Sequence, residues 1–474
     1  MRMISILLAT TLLAGCSQTS PVISNRSSFG EFAYSERDVI PNDTSPPTTQ
    51  GHVIGPKKVL ISVINWQGES TLDAALIEKH TLSTDPDSLR SYILAASGGK
   101  LVLTGQVIRQ VSGPRPELCK SGIPYPFSLA TAEGEKAAQA HGLKTADFDF
   151  LINVIDCGGF ASAHLWGRIM GVYGQAKSPF IYRHEFGHNL GYGHGSTYTK
   201  CPKTDSVVSA PTDCVTTGYG DSGDPVSGGS TLFPAKNRWF SGWLDEHQAG
   251  FIERSGLYRL GVLGSSGPQL YVINRPGLDP AQLTLEFRKP TRFDGFPADD
   301  NRVTGVWARY SNARGALYNT QLDGTPETAT MADPTLQMGK VLKDQTAGIT
   351  IKVCSASDTG ATVSVALNGQ LQPSCLIGVL PPSIATPAVG APAAHNPIVV
   401  SGKSLPGAIV AGFCDADIPA KGSEDSGVET VANVNGEWKL TCPTLSPGKH
   451  TLYVRQLIGP QISQPRIRDF VVAP

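Results

Sequence analysis

The stretch from His184 to His194 reads His-Glu-Phe-Gly-His-Asn-Leu-Gly-Tyr-Gly-His. It limits what the chain around it can be. His184 and His188 are four residues apart, so on an α-helix they lie one turn apart on one face. Two imidazoles so spaced can reach one metal ion. Glu185 follows the first of them, and its carboxylate is suited to take a proton from a water on that ion. Gly191 comes three residues after His188. Glycine ends helices in the left-handed conformation that most residues avoid, and the turn it makes brings His194 back as a third ligand. Three neutral nitrogens and a water form an open, roughly tetrahedral zinc site, the kind that does chemistry. The start of the helix is signalled by Ser178 as N-cap and Pro179 as first helical residue. Phe186 and Leu190, four apart, are placed to face a core. A lone His-Glu-x-x-His arises by chance among ordinary histidines. The glycine and third histidine at their required offsets set this stretch apart.

The pattern H-E-x-x-H-x-x-G-x-x-H is the signature of the metzincin metallopeptidases, and the surrounding chain resembles their gametolysin family. The resemblance is carried by Cys157-Gly158-Gly159-Phe160-Ala161 before the motif and by Asn189-Leu190-Gly191-Tyr192-Gly193-His194 at its close. Beyond it come Tyr219-Gly220-Asp221, Asp224-Pro225, Phe233-Pro234-Ala235 and Gly242-Trp243-Leu244. It covers roughly residues 57–247 and continues more weakly to about 366. It implies an α/β metzincin catalytic domain, a twisted mixed sheet plus a zinc helix. In that domain His184, His188 and His194 hold one catalytic Zn2+ and Glu185 is the general base.

The resemblance also implies that an edge strand within 159–166 pairs with a bound peptide. An open edge is otherwise a liability, and strand addition is a use for it. His164, on that strand, reads as a subsite or surface residue rather than a ligand. Metzincins place a methionine in a tight turn under the zinc, here expected after Asp224-Pro225. This chain has Val226 there, with Ser227 where glycine is usual, and its next methionine is Met331. Val226 is expected to act as an apolar floor. Tyr219 is a candidate helper to the oxyanion, against the plainer reading that it packs in the turn. Asp221 and Asp224 read as turn-stabilising.

The N-terminus reads as a targeting segment. Arg2 supplies a positive charge, and 4–14 is an apolar run too short to span a membrane as a mature helix. It ends in Leu13-Ala14-Gly15-Cys16, which resembles a bacterial lipobox. Residues 1–15 are therefore expected to be a lipoprotein signal peptide, with Cys16 lipidated. Ser17, not aspartate, follows Cys16 and points to the outer membrane. Residues 16–55, rich in Ser, Thr, Pro and Asn, are expected to form a flexible tether. Without Cys16 there remain Cys119, Cys157, Cys201, Cys214, Cys354, Cys375, Cys414 and Cys442. An even count in an exported chain suggests four disulfides, although sequence alone permits about 105 connectivities. Nearest-neighbour pairing keeps each bridge inside one expected domain.

Strands are expected at 58–66, 101–111, 148–155, 160–166 and 169–173, and helices at 88–96, 130–141 and 236–244. Alternating runs at 257–262, 283–287, 303–310, 349–353 and 361–366, separated by turn residues, read as an all-β sandwich. After a Pro/Ala-rich linker, Asn435-Gly436-Glu437-Trp438 and Leu445-Ser446-Pro447-Gly448 resemble bacterial Ig-like modules. The expected domains are thus 56–247 catalytic, 248–370 β-sandwich and 380–474 Ig-like. With 39 Lys and Arg against 40 Asp and Glu, no basic balance favours nucleic acid.

The function expected is that of an exported, lipid-anchored zinc endopeptidase whose partners are protein or peptide substrates and the membrane. One alternative is a protease directed at glycosylated proteins such as mucins. The other is an inactive metzincin scaffold serving as a surface adhesin. The missing methionine favours that scaffold, and intact Glu185 and all three histidines oppose it.

Overall fold

Strand β2 (Gly55–Trp66) pairs in parallel with β3 (Leu101–Ser112) on one side and β4 (Phe150–Ile155) on the other, and is buried along 59–64. A strand covered on both faces needs a continuous apolar run rather than an alternating one. The structure is a computed structural model that describes residues 39–40, 53–69, 71–120, 126–375, 379–392, 394–415, 427–459 and 461–474. Cys16 and most of the expected tether lie outside the described residues.

The first sheet is completed by β5 (Ala161–His164), β6 (Ile169–Val172) and β1 (Val39–Ile40), in the order β1-β5-β6-β4-β2-β3. β6 runs parallel to β4, and β5 returns antiparallel to β6. The helices of this region are α1 (Ala74–Thr81), α2 (Leu89–Ala96), α3 (Glu117–Lys120), α4 (Phe127–Ala140) and α5 (Pro179–Asn189). Ser88 caps α2 by accepting the Ser91 N–H. Ser178 sits at the N-cap of α5, but its side chain makes no capping hydrogen bond.

The outer edge of β5 is not open. β1 pairs with it in parallel, Val39 opposite Ala163 and Ile40 opposite His164. The expectation of a free edge for substrate is corrected here, because part of the expected tether is a strand of the sheet.

After α5 the chain forms β7 (Ser196–Thr199), β8 (Lys203–Thr204), β9 (Val207–Ser209), β10 (Val215–Gly218) and α6 (Ala235–Phe240). There follow β11 (Ala249–Phe251), β12 (Gly256–Leu260), β13 (Leu270–Asn274), β14 (Gln282–Phe287), α7 (Asn301–Thr304), β15 (Val306–Arg314) and β16 (Ala316–Leu322). β17 (Val341–Asp344), β18 (Ile349–Ser357) and β19 (Gly360–Ala366) complete this part. They build a seven-stranded sheet, β10-β7-β16-β15-β14-β13-β11, and a six-stranded sheet, β12-β19-β18-β17-β9-β8. One apolar core lies between them, with Leu283, Leu285, Ala308 and Tyr310 from the first and Leu342, Ile351, Val363 and Val365 from the second. Strands from Ser383–Thr386 to Arg466–Val472 make a three-stranded and a five-stranded sheet. Their Val434 joins the preceding core.

The expected class, an α/β metzincin catalytic domain followed by all-β sandwich domains, does not describe this chain. Strand makes up 38% and helix 15%, so the protein is mainly β, built from several sheets. The reason lies just past His194. β7 pairs in parallel with β16, and β9 in parallel with β17. The segment after the histidine motif therefore enters the later sheets and does not close a separate α/β unit.

The disulfides join Cys119 to Cys157, Cys201 to Cys214, Cys354 to Cys375 and Cys414 to Cys442. Such bridges belong to a chain exported from the reducing cytoplasm. Among the described residues no helix is long and apolar enough to cross a membrane.

Candidate metal centre

Helix α5 places His184 and His188 one turn apart, both fully buried. Its end is pinned to the β5–β6 hairpin. The Asn189 side-chain amide donates to the carbonyls of His164 and Ile169, and the Trp166 N–H donates to the His188 carbonyl. Gly191 then adopts φ +89°, and a Cβ there would stand 2.6 Å from the Trp166 indole. Both the conformation and the space require glycine. The turn delivers His194, and ligand atoms of His184, His188 and His194 come within 4.8 Å of one another.

The hydrogen bonds decide which nitrogens face the centre. His184 Nδ1 lies 2.8 Å from the Pro225 carbonyl oxygen, and His188 Nδ1 lies 2.7 Å from that of Tyr192. A carbonyl can only accept, so each Nδ1 carries the proton and each Nε2 presents its lone pair. His188 Nε2 and His194 Nε2 are 3.1 Å apart. Two nitrogens on one tetrahedral zinc stand roughly 3.3 Å apart, given bonds of about 2.0–2.1 Å. The donor set and its spacing therefore fit zinc.

The imidazoles are held neutral. Burial lowers the His184 pKa well below the ordinary value, and the neighbouring His188 lowers it further. Burial brings His188 down to about 4. His194 is depressed by burial and then by His188 and His184. Glu185 is fully buried on the same helix. The Tyr219 hydroxyl lies 2.9 Å from His194 Nδ1 and 3.3 Å from its Nε2. His164 packs its ring 4.6 Å from that of Phe127.

Val226 is fully buried beneath α5: a Cβ on Gly187 would meet its Cγ2 at 2.5 Å. Its carbonyl accepts the Gly195 N–H at 3.3 Å. Asp224 accepts the Val226 N–H at 3.0 Å, and burial, then the charge of Asp221, pushes its pKa up to about 7.

Sequence reasoning missed what lies under this turn. Arg309 of β15 grips Asp221 with Nε at 2.6 Å and Nη2 at 3.0 Å, and reaches Glu286 of β14 with Nη1 at 2.7 Å. Arg288 binds the same Glu286 oxygen at 2.7 Å, Asp294 at 2.9 Å and the Gly223 carbonyl at 2.9 Å. Burial alone would raise the Glu286 pKa, but Arg288 and Arg309 outweigh it and hold the carboxyl down at about 2. The available signal was a polar residue at every second position of the run Leu283-Thr284-Leu285-Glu286-Phe287-Arg288, the last two of them charged. That alternation usually marks a solvent face, yet Glu286 and Arg288 are buried.

No protein-family model matches the chain, and no curated protein matches it. Among solved structures it is similar to the extracellular domain of a one-component system from B. thetaiotaomicron. That match has 13% identity over 36% of this chain and 24% of the other, with a TM-score of 0.13. The extracellular domain of a hybrid two-component system from the same organism matches at 12% identity over 44% and 32%, with a TM-score of 0.16. The chain thus spans about a quarter and a third of the lengths of these structures. At such scores neither likeness bears on the site.

Proposed function

We propose that the chain is a zinc-dependent endopeptidase, related to the gametolysin-like metzincins, that hydrolyses peptide bonds in protein or peptide substrates. The observation that carries this reading is the convergence of three histidine ligand atoms within 4.8 Å. Zinc bound there supplies a Lewis acid that acidifies water and polarises a carbonyl. His184 and His188 keep their Nδ1 protons on backbone carbonyls, so their Nε2 atoms stay available over a wide pH range. The Glu185 carboxylate takes the proton of the attacking water and passes it to the leaving amine nitrogen. In this reading the Tyr219 hydroxyl, 2.9 Å from His194 Nδ1, donates to the oxygen that gains negative charge. A peptide adding to β5 must first displace β1. Lipid on Cys16 holds the protein at the outer membrane.

The test is zinc analysis of the purified protein together with mass spectrometry of peptides it releases from a complex proteome. Glycosylated and deglycosylated samples are run side by side. New termini appear in the presence of zinc and vanish with a chelator. Stoichiometric zinc without any new termini would sink the peptidase reading and leave a binding scaffold.

A further inference from the structure

We infer that Arg309 is a positioning residue for the metal site, although it comes from β15, more than a hundred residues beyond the histidines. The inference rests on the reading of His184, His188 and His194 as zinc ligands. It adds that the seven-stranded sheet sets the geometry of the first of them.

The connection runs through one turn. The Arg309 guanidinium fits the Asp221 carboxylate as a two-pronged fork, and both side chains are buried. Asp221 Oδ1 also accepts the Gly223 N–H at 2.9 Å. The Asp221 N–H donates to Ser227 Oγ, whose hydroxyl donates to the Gly195 carbonyl, both at 3.0 Å. Between these fixed points lie Pro225, whose carbonyl orients His184, and Val226, whose side chain packs at Gly187. Gly223 has no room for a side chain, since a Cβ would meet Arg309 Nη2 at 2.5 Å and the Trp307 ring at 2.6 Å. The turn therefore rests directly on β15. A bidentate fork constrains both distance and angle, which an ammonium does not. Partners that orient a metal-bound histidine typically alter metal affinity by about 10–100-fold when removed.

A second buried pair supplies the control. Arg275, just past β13, holds Nε 2.6 Å from Oδ2 of Asp344 at the end of β17; both are buried. Arg309→Gln, Arg309→Lys, Asp221→Asn and Arg275→Gln are made in the full chain, and zinc affinity is measured by chelator competition. Arg309→Gln and Asp221→Asn weaken zinc binding by about 10–100-fold. Arg309→Lys recovers part of that loss, and Arg275→Gln lowers the melting temperature while leaving zinc affinity at the wild-type value. Equal weakening by Arg275→Gln would reduce the effect to general loss of stability. Wild-type affinity in Arg309→Gln would overturn the inference while leaving the metal reading intact; failure of the wild type to bind zinc would remove the metal reading itself. Hydrogen exchange on the unaltered protein tests the same link without a variant. Zinc slows exchange in 221–229 and 306–311 more than in 341–344, and no difference between these segments overturns the inference.

Discussion

The imidazole of His184 donates from Nδ1 to the carbonyl oxygen of Pro225 at 2.8 Å. This bond ties a helix to a turn 41 residues further along the chain. It fixes ring orientation and tautomer together and turns Nε2 toward the other two histidines.

Replacing Glu185 by Gln keeps the side-chain shape and removes the base. Zinc content and melting temperature stay near wild type, while peptide cleavage falls at least about a hundredfold. In His188→Ala, zinc content and cleavage fall together. Cleavage by Glu185→Gln at the wild-type rate would show that the carboxylate is not the base.

Acid should loosen the zinc-free protein through His188. Above the ordinary histidine pKa of 6.5, folded and unfolded chains both hold it neutral, so it has no effect. Between 6.5 and about 4 the unfolded chain binds a proton that the buried residue refuses. Its contribution to stability therefore drops as pH falls, by about 1.4 kcal/mol per unit. Denaturant melts of the apo protein across that range, compared with His188→Asn, isolate this slope. Identical slopes would contradict burial of a neutral imidazole.

Gly187 and Val226 share one tight contact. Gly187→Ala inserts a methyl where only 2.5 Å separates it from Val226 Cγ2, and overpacking of this kind costs about 1–3 kcal/mol. Val226→Met crowds the same place and carries a similar cost. Adding Val226→Ala to Gly187→Ala should recover part of the loss, so the double variant is more stable than the summed single effects allow. Strict additivity in chemical denaturation would show that the two positions do not press on each other.

Deleting residues 17–50 removes β1 and opens β5. The shortened protein should show a lower KM for an unstructured peptide with kcat little changed. An unaltered KM would mean that peptides bind elsewhere.

Metabolic labelling with a fatty-acid probe should mark the wild type and not Cys16→Ala, and the variant should leave the membrane fraction. Labelling of both would reject Cys16 as the anchor.

The centre was legible because its spacing is local. His184, Glu185, His188, Gly191 and His194 fall within one helix and one turn, where sequence offset dictates geometry. The place of Val226 after Asp224-Pro225 came from the family resemblance, and the residue is buried against Gly187. Arg309 and Glu286 were not legible, because a strand's alternation cannot say whether its polar face meets water or another part of the protein. Strands β7 and β9 were missed for a related reason. They are short, and their partners β16 and β17 lie more than a hundred residues away. The α/β expectation failed there, since it placed no strand between His194 and the helix expected at 236–244.

The pairing of β7 and β9 with later strands also bears on how the gene can be cut or recombined. A fragment ending near residue 247 keeps both strands but loses β16 and β17, leaving backbone donors and acceptors facing solvent along two ladders. Bare strands of that kind recruit other chains. Fragments ending there should clump on expression, and a graft of the histidine motif onto another scaffold has to carry the sheets with it.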